Sequence, residues 1–143
     1  MEKLLKEALQ RYVAEYYPDM VQQFTADVPL STYLEDRVTL VRPLMDELIA
    51  QGETAQQIVD ACMQQIIKDL PPSKYQYLLM VLQEEFPDDY KNFKTAGVLR
   101  YKMIQLIGHC QQAFEDFDFD TQVPPDHRLE HRVIGEIAGY LIG

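Results

Sequence analysis

Residues 71–86 read Pro-Pro-Ser-Lys-Tyr-Gln-Tyr-Leu-Leu-Met-Val-Leu-Gln-Glu-Glu-Phe, and they limit the possible folds more than any other stretch. The two prolines end whatever precedes them, because proline brings no N–H to a helix interior. Ser73 then caps a new helix, and Gln76, three residues on, completes a capping box. From Tyr75 to Leu82 this helix is apolar on nearly every side. A helix without a polar face belongs in the middle of a helical domain. The run therefore predicts an all-α fold: one compact domain over residues 1–143, with five to six helices around the central helix 73–86. Leu78, Leu79 and Leu82 are expected at its core.

Helical spacing supplies the neighbours. Leu5, Ala8, Leu9, Tyr12, Val13 and Tyr16 mark a first helix over 3–17, ended by Pro18. Residues 18–30 read as a connector with a short turn near Met20 to Phe24. Leu34, Val38, Val41, Met45 and Leu48 mark a second helix ending near Gly52, with a kink or break expected at Pro43. Thr54 and Gln57 form a capping box for a helix carrying Ile58, Cys62 and Ile66 inward. Pro87 is expected to stop the central helix, and Thr95 to cap a fifth helix reaching Phe117. A last helix buries Leu129, Val133, Ile134 and Ile137. No β alternation, internal repeat or domain linker emerges from this reading.

A chain of this length with 47% apolar residues can build a core without staples. Cys62 and Cys110 fall at apolar helical positions, which suits free, buried thiols in a reducing compartment. The first residues alternate charge and apolar character, unlike a secretion leader. The longest apolar run, Tyr77 to Leu82, is too short to span a bilayer. The expected location is the cytoplasm, away from membranes. A net charge of −10 repels phosphate backbones and argues against nucleic-acid binding.

Several residues together resemble a known pattern: an amphipathic first helix followed by Tyr17-Pro18-Asp19, the Ser73-Lys74-Tyr75 start and Leu79-x-x-Leu82-x-x-x-Phe86 run of the central helix, and an aromatic-acidic turn near 114–120. The chain resembles a family of small, uncharacterised all-helical proteins, a domain of unknown function, from Bacteroides-type bacteria. The resemblance implies an all-helical fold and no established activity.

Four constellations bear on chemistry. His127-x-x-Glu130-His131 fits the inverted zinc-peptidase motif, and its histidines, one helical turn apart, are the metal candidates. The motif opens a helix, however, and no third ligand accompanies it, so solvated histidines are expected there. Asp116, Asp118 and Asp120 imitate the first ligands of a calcium loop. Its required glycine and distal glutamate are replaced by Thr121 and His127, so no calcium is expected. Lys91, Lys94, Arg100 and Lys102 hold four cations with no carboxylate between them, interleaved with Tyr90, Phe93 and Tyr101. They form a candidate anion or partner patch, set against plain neutralisation of the chain's own carboxylates. Gly135 and Gly139 share a helix edge and predict close approach of another helix, within the domain or across a dimer.

No nucleophile has a base placed to activate it: Ser31 and Ser73 sit by prolines or caps, and Cys110 directly follows His109. No enzyme and no cofactor are expected. The favoured expectation is a non-catalytic, acidic, helical protein-interaction module, with Tyr77, Met80 and Val81 as the apolar partner surface. The alternative is a metal-dependent hydrolase using His127, Glu130 and His131. Another protein is the expected partner, and a homodimer through apolar faces is a further expectation.

Overall fold

A computed structural model describes residues 1–121 and 124–143. Every regular element among them is helical: α1 (Glu2–Tyr16), α2 (Pro18–Gln22), α3 (Leu30–Ala50), α4 (Ala55–Asp69), α5 (Lys74–Glu85), α6 (Pro87–Thr95), α7 (Leu99–His109), α8 (Gln111–Asp116) and α9 (His127–Ile142). Among the described residues nine helices stand where periodicity predicted five or six, for three local reasons. The connector 18–30 begins with a helical turn. Pro87 opens a helix instead of only closing one, since proline suits the first helical position, where its missing N–H has no intrahelical partner. The long fifth helix divides at Cys110, whose φ of −93° and ψ of 5° leave the helical well.

Thr95 accordingly does not cap the next helix; it is the last residue of α6. That helix ends in a Schellman turn, in which Val98 N–H reaches Phe93 O at 3.0 Å and Gly97 N–H reaches Lys94 O at 3.2 Å. The left-handed residue this turn requires is Gly97, with φ of +74°. Pro43 does not break α3, which runs through it. Both Pro43 and Thr39, whose carbonyl loses its donor, are exposed, so water can answer that carbonyl. Two of the three predicted caps form: Thr54 and Gln57 close a reciprocal capping box, and Ser73 Oγ accepts from Gln76 N–H at 3.1 Å.

The sequence reading placed one domain over 1–143; the packing groups residues into two compact units, Met1–Leu70 and Pro71–Gly143. In the first unit α1, α3 and α4 pack pairwise around Leu5, Leu9, Val13, Leu34, Val38, Val41, Met45, Ile58, Cys62 and Ile66. In the second, α5 packs against α6, α7 and α9, and the buried side chains include Leu78, Leu82, Met103, Ile107, Cys110, Phe114, Leu129, Val133 and Ile137. The expected place of helix 73–86 at the centre is not what the packing gives, since α7 meets α5, α6, α8 and α9.

The second unit repeats the first, contrary to the sequence reading. Tyr17-Pro18-Asp19 recurs as Phe86-Pro87-Asp88, at an offset of 69 residues. The backbone repeats with it: Tyr17 has φ −133° and ψ 52°, Phe86 φ −132° and ψ 55°, and each is followed by a short proline-started helix. At the same offset, buried Leu9 and Val13 match buried Leu78 and Leu82. Leu34, Val38, Val41 and Met45 match Met103, Ile107, Cys110 and Phe114. Ile58, Cys62 and Ile66 on α4 keep the spacing of Leu129, Val133 and Ile137 on α9. Side-chain identity differs between the units while the matching inward positions are apolar in both, and so inspection of residue letters misses the repeat.

Within α5 the inward face is Tyr75, Leu78, Val81 and Leu82. Two expectations change. Leu79 is half-buried, not at the core. Val81 is fully buried and cannot belong to an apolar partner surface. A run apolar on all sides carries no phase, so periodicity had no means of choosing the inward face.

Candidate functional site

A largely apolar cleft of the second unit runs between α5 and the start of α9. It encloses about 400 Å³ and is lined by Gln76, Tyr77, Met80, Pro125, Asp126, His127 and Glu130. Helical spacing puts Gln76, Tyr77 and Met80 on one side of α5, and His127 and Glu130 on one face of α9. Met80 is 41% exposed and half-buried Tyr77 forms the wall. The Tyr77 ring is fixed from behind by Phe119 at 5.2 Å and Phe114 at 6.0 Å between centroids. Burial, then the neighbouring Glu130 carboxylate and Cys110, push the Tyr77 phenol up to about 12, so it stays protonated at neutral pH.

The two rim carboxylates differ. Asp126 caps α9, accepting from Arg128 N–H at 2.8 Å, and the Arg128 guanidinium meets its other oxygen at 2.7 Å. These contacts, side chain first, hold its carboxyl down at about 2. Half-buried Glu130 has no cation or hydrogen-bond donor paired with it among the described residues.

An equivalent groove lies between the first and last helices of the first unit. Leu4, Ala8, Arg11, Ala55, Gln56, Val59, Asp60 and Met63 line about 320 Å³ there. By the repeat, Ala8 corresponds to Tyr77 and Arg11 to Met80, while Val59 holds the place of Glu130 on the last helix. Leu4 is 49% exposed at its edge. Each unit therefore offers a groove at the same place in its fold, with different side chains.

The other candidates resolve individually. His127 and His131 are neighbours, their ring centroids 6.0 Å apart, but only His127 lines the groove. Among the described residues no three His, Cys, Asp or Glu side chains converge to hold a metal ion. Of the aspartates near 116–120, Asp116 pairs with Arg132 at 3.0 Å, and buried Phe119 folds the turn onto Phe114, 4.7 Å away.

The basic window places its cations over aromatic rings. Lys94 lies over Tyr90, Arg100 over Tyr75 at 4.8 Å, and Lys102 between Phe93 at 5.6 Å and Tyr140 at 5.7 Å. Three of its four cations thus rest on rings of their own unit, and two of those rings, Tyr75 and Tyr140, lie outside the interleaved window. Lys91 is exposed on α6.

A carbon added at Gly135 or Gly139 would meet nothing within 4 Å among the described residues, which corrects the expectation of close approach by another helix within the domain. Cys62 and Cys110 are free and buried. Burial first, then Glu136, push the Cys110 thiol up to about 12, with Arg132 opposing, which leaves it unreactive.

Among the described residues no helix is long and apolar enough to cross a membrane. No protein-family model, curated protein or solved structure matches the chain.

Proposed function

We propose that this chain is a non-catalytic, acidic, helical protein-interaction module of the cytoplasm, and that the α5–α9 groove is its principal contact surface. The observation that carries the reading is the groove itself: an open apolar cleft with exposed Met80 at its edge and a rigidly backed Tyr77 wall. Anchor side chains of protein partners favour such pockets. Recurrence of a groove at the equivalent place in the first unit supports a binding role over an accident of packing. The likeness to small all-helical proteins of Bacteroides-type bacteria belongs to the same proposal, resting on Tyr17-Pro18-Asp19, Ser73-Lys74-Tyr75 and the Leu79–Phe86 run.

The test is capture from the native cell with wild-type, Met80→Glu and Leu40→Glu chains, read by mass spectrometry. Leu40 is exposed on α3, outside both grooves. A partner kept by Leu40→Glu and lost with Met80→Glu supports the proposal, and identical capture by all three removes the groove as the surface. Stoichiometric zinc in untagged protein would return the reading to a hydrolase using His127, Glu130 and His131. Self-association through apolar faces is part of the proposal too, and a single species near 16.7 kDa in sedimentation at low and high salt would remove it.

A further inference from the structure

The two grooves differ in where their positive charge comes from. On the first helix of its unit, Arg11 supplies a guanidinium to a groove that also contains Asp60. At the matching place the second unit has Met80, and on the facing helix Glu130 replaces Val59. The second groove therefore exchanges an internal cation for an apolar, polarisable thioether and gains a carboxylate. That carboxylate is half-buried, and no cation answers it among the described residues. Asp126 cannot share that role, because Arg128 already holds both its oxygens.

A carboxylate held at an apolar cleft loses part of its hydration and gains most from a cation that brings its own apolar stem. Lysine and arginine side chains have that form. The Met80 thioether and the Tyr77 face suit an alkyl stem, and the ring also attracts a cation.

Resting on the interaction reading above, we propose that the α5–α9 groove receives a lysine or arginine side chain and an adjacent apolar residue from a partner protein, with the cation pairing to Glu130. The acidity of the whole chain steers such a segment toward it, while Glu130 fixes where the cation seats. The groove is thus a receptor for a basic-apolar peptide segment.

The experiment uses the full chain with methyl-labelled methionine and three ten-residue peptides, in which leucine alternates with lysine, glutamine or glutamate. The lysine peptide is expected to shift the Met80 methyl resonance saturably and to bind more tightly than the other two. Glu130→Gln should weaken it by about tenfold or more. Glu84→Gln, the same charge change on the exposed end of α5, should change it by less than about twofold. Equal binding of lysine and glutamine peptides, or equal effects of the two substitutions, would overturn the cation pairing and leave an apolar interaction groove standing. A Met80 resonance that moves with protein concentration alone would assign the groove to a second copy of the chain. No saturable Met80 shift with any peptide would overturn the inference, while the capture experiment judges the interaction reading separately.

Discussion

Arg132 Nη1 lies 3.0 Å from Asp116 Oδ2, so an ion pair ties the last helix to the short helix α8. The chain of polar contacts continues: Arg132 reaches Glu136 at 3.4 Å, and Glu136 reaches His109 of α7 at 3.5 Å. The tie spans the division between α7 and α8 at Cys110, where the helix is interrupted.

This pairing sets an acid response. The Gln112 amide first, and Arg132 next, hold the Asp116 carboxyl below its usual range, and Asp126 is held down at about 2 by Arg128. A carboxyl lowered in the folded state favours folding above its ordinary value, and that contribution disappears as pH falls through the folded-state value. Wild-type protein should therefore lose stability faster than Asp116→Asn or Asp126→Asn between about pH 4 and pH 2. Urea midpoints across that interval are the measurement; parallel curves would contradict it.

The glycines should respond with opposite signs. Gly135→Ala and Gly139→Ala place a methyl in open space on α9 and should stabilise by about 0.5–1 kcal/mol each. Gly52→Ala and Gly97→Ala force a side chain into left-handed backbone and should cost about 1–2 kcal/mol each. Denaturant melts of the four variants decide this. A loss at Gly135 or Gly139 would mean that another molecule packs there.

Leu78→Ala removes a fully buried side chain of α5 and should cost about 2–5 kcal/mol through lost burial and a cavity. Half-buried Leu79→Ala should cost less than about 2 kcal/mol. Reversed costs would rotate the helix from its described orientation.

Each unit contains one cysteine, which separates their openings experimentally. Burial raises both thiols, Cys110 to about 12, so neither should react with an aromatic disulfide reagent on mixing. Both should react in denaturant. Under native conditions the rate at Cys62 reports opening of the first unit and that at Cys110 opening of the second. Immediate labelling of either would contradict its burial.

Much of the architecture was legible in the residues. The amphipathic spacing of α1, α4 and α9 and the Thr54 and Ser73 caps gave those helices nearly to their ends, because each signal is local. Pro18 and Pro87 misled, since proline is read as a stop although it also starts helices. The orientation of α5 had no signal in a uniformly apolar run, and so Leu79 and Val81 changed places. Of the groove, Tyr77 and Met80 were named from sequence as partner surface, and His127 and Glu130 as parts of a metal motif. That α5 and α9 bring these two sets together is a tertiary fact. The relation of Arg11 to Met80 required the repeat, whose Tyr-Pro-Asp and Phe-Pro-Asp markers were visible but short.

The contiguity of each unit has a consequence for how the chain is made. The buried core cluster of the first unit is built from residues between Leu5 and Leu70. At a synthesis rate of about 5–20 residues per second, α4 can close onto α1 and α3 seconds before α9 exists. Because α4 and α9 present similarly spaced apolar faces, α9 is the element best able to dock in the wrong place, the characteristic error of repeated sequences. Vectorial emergence from the ribosome removes that competitor during the interval when the first unit is open. Refolding of the intact chain from denaturant has no such order, and exchange between the two similar helices is the trap it must avoid.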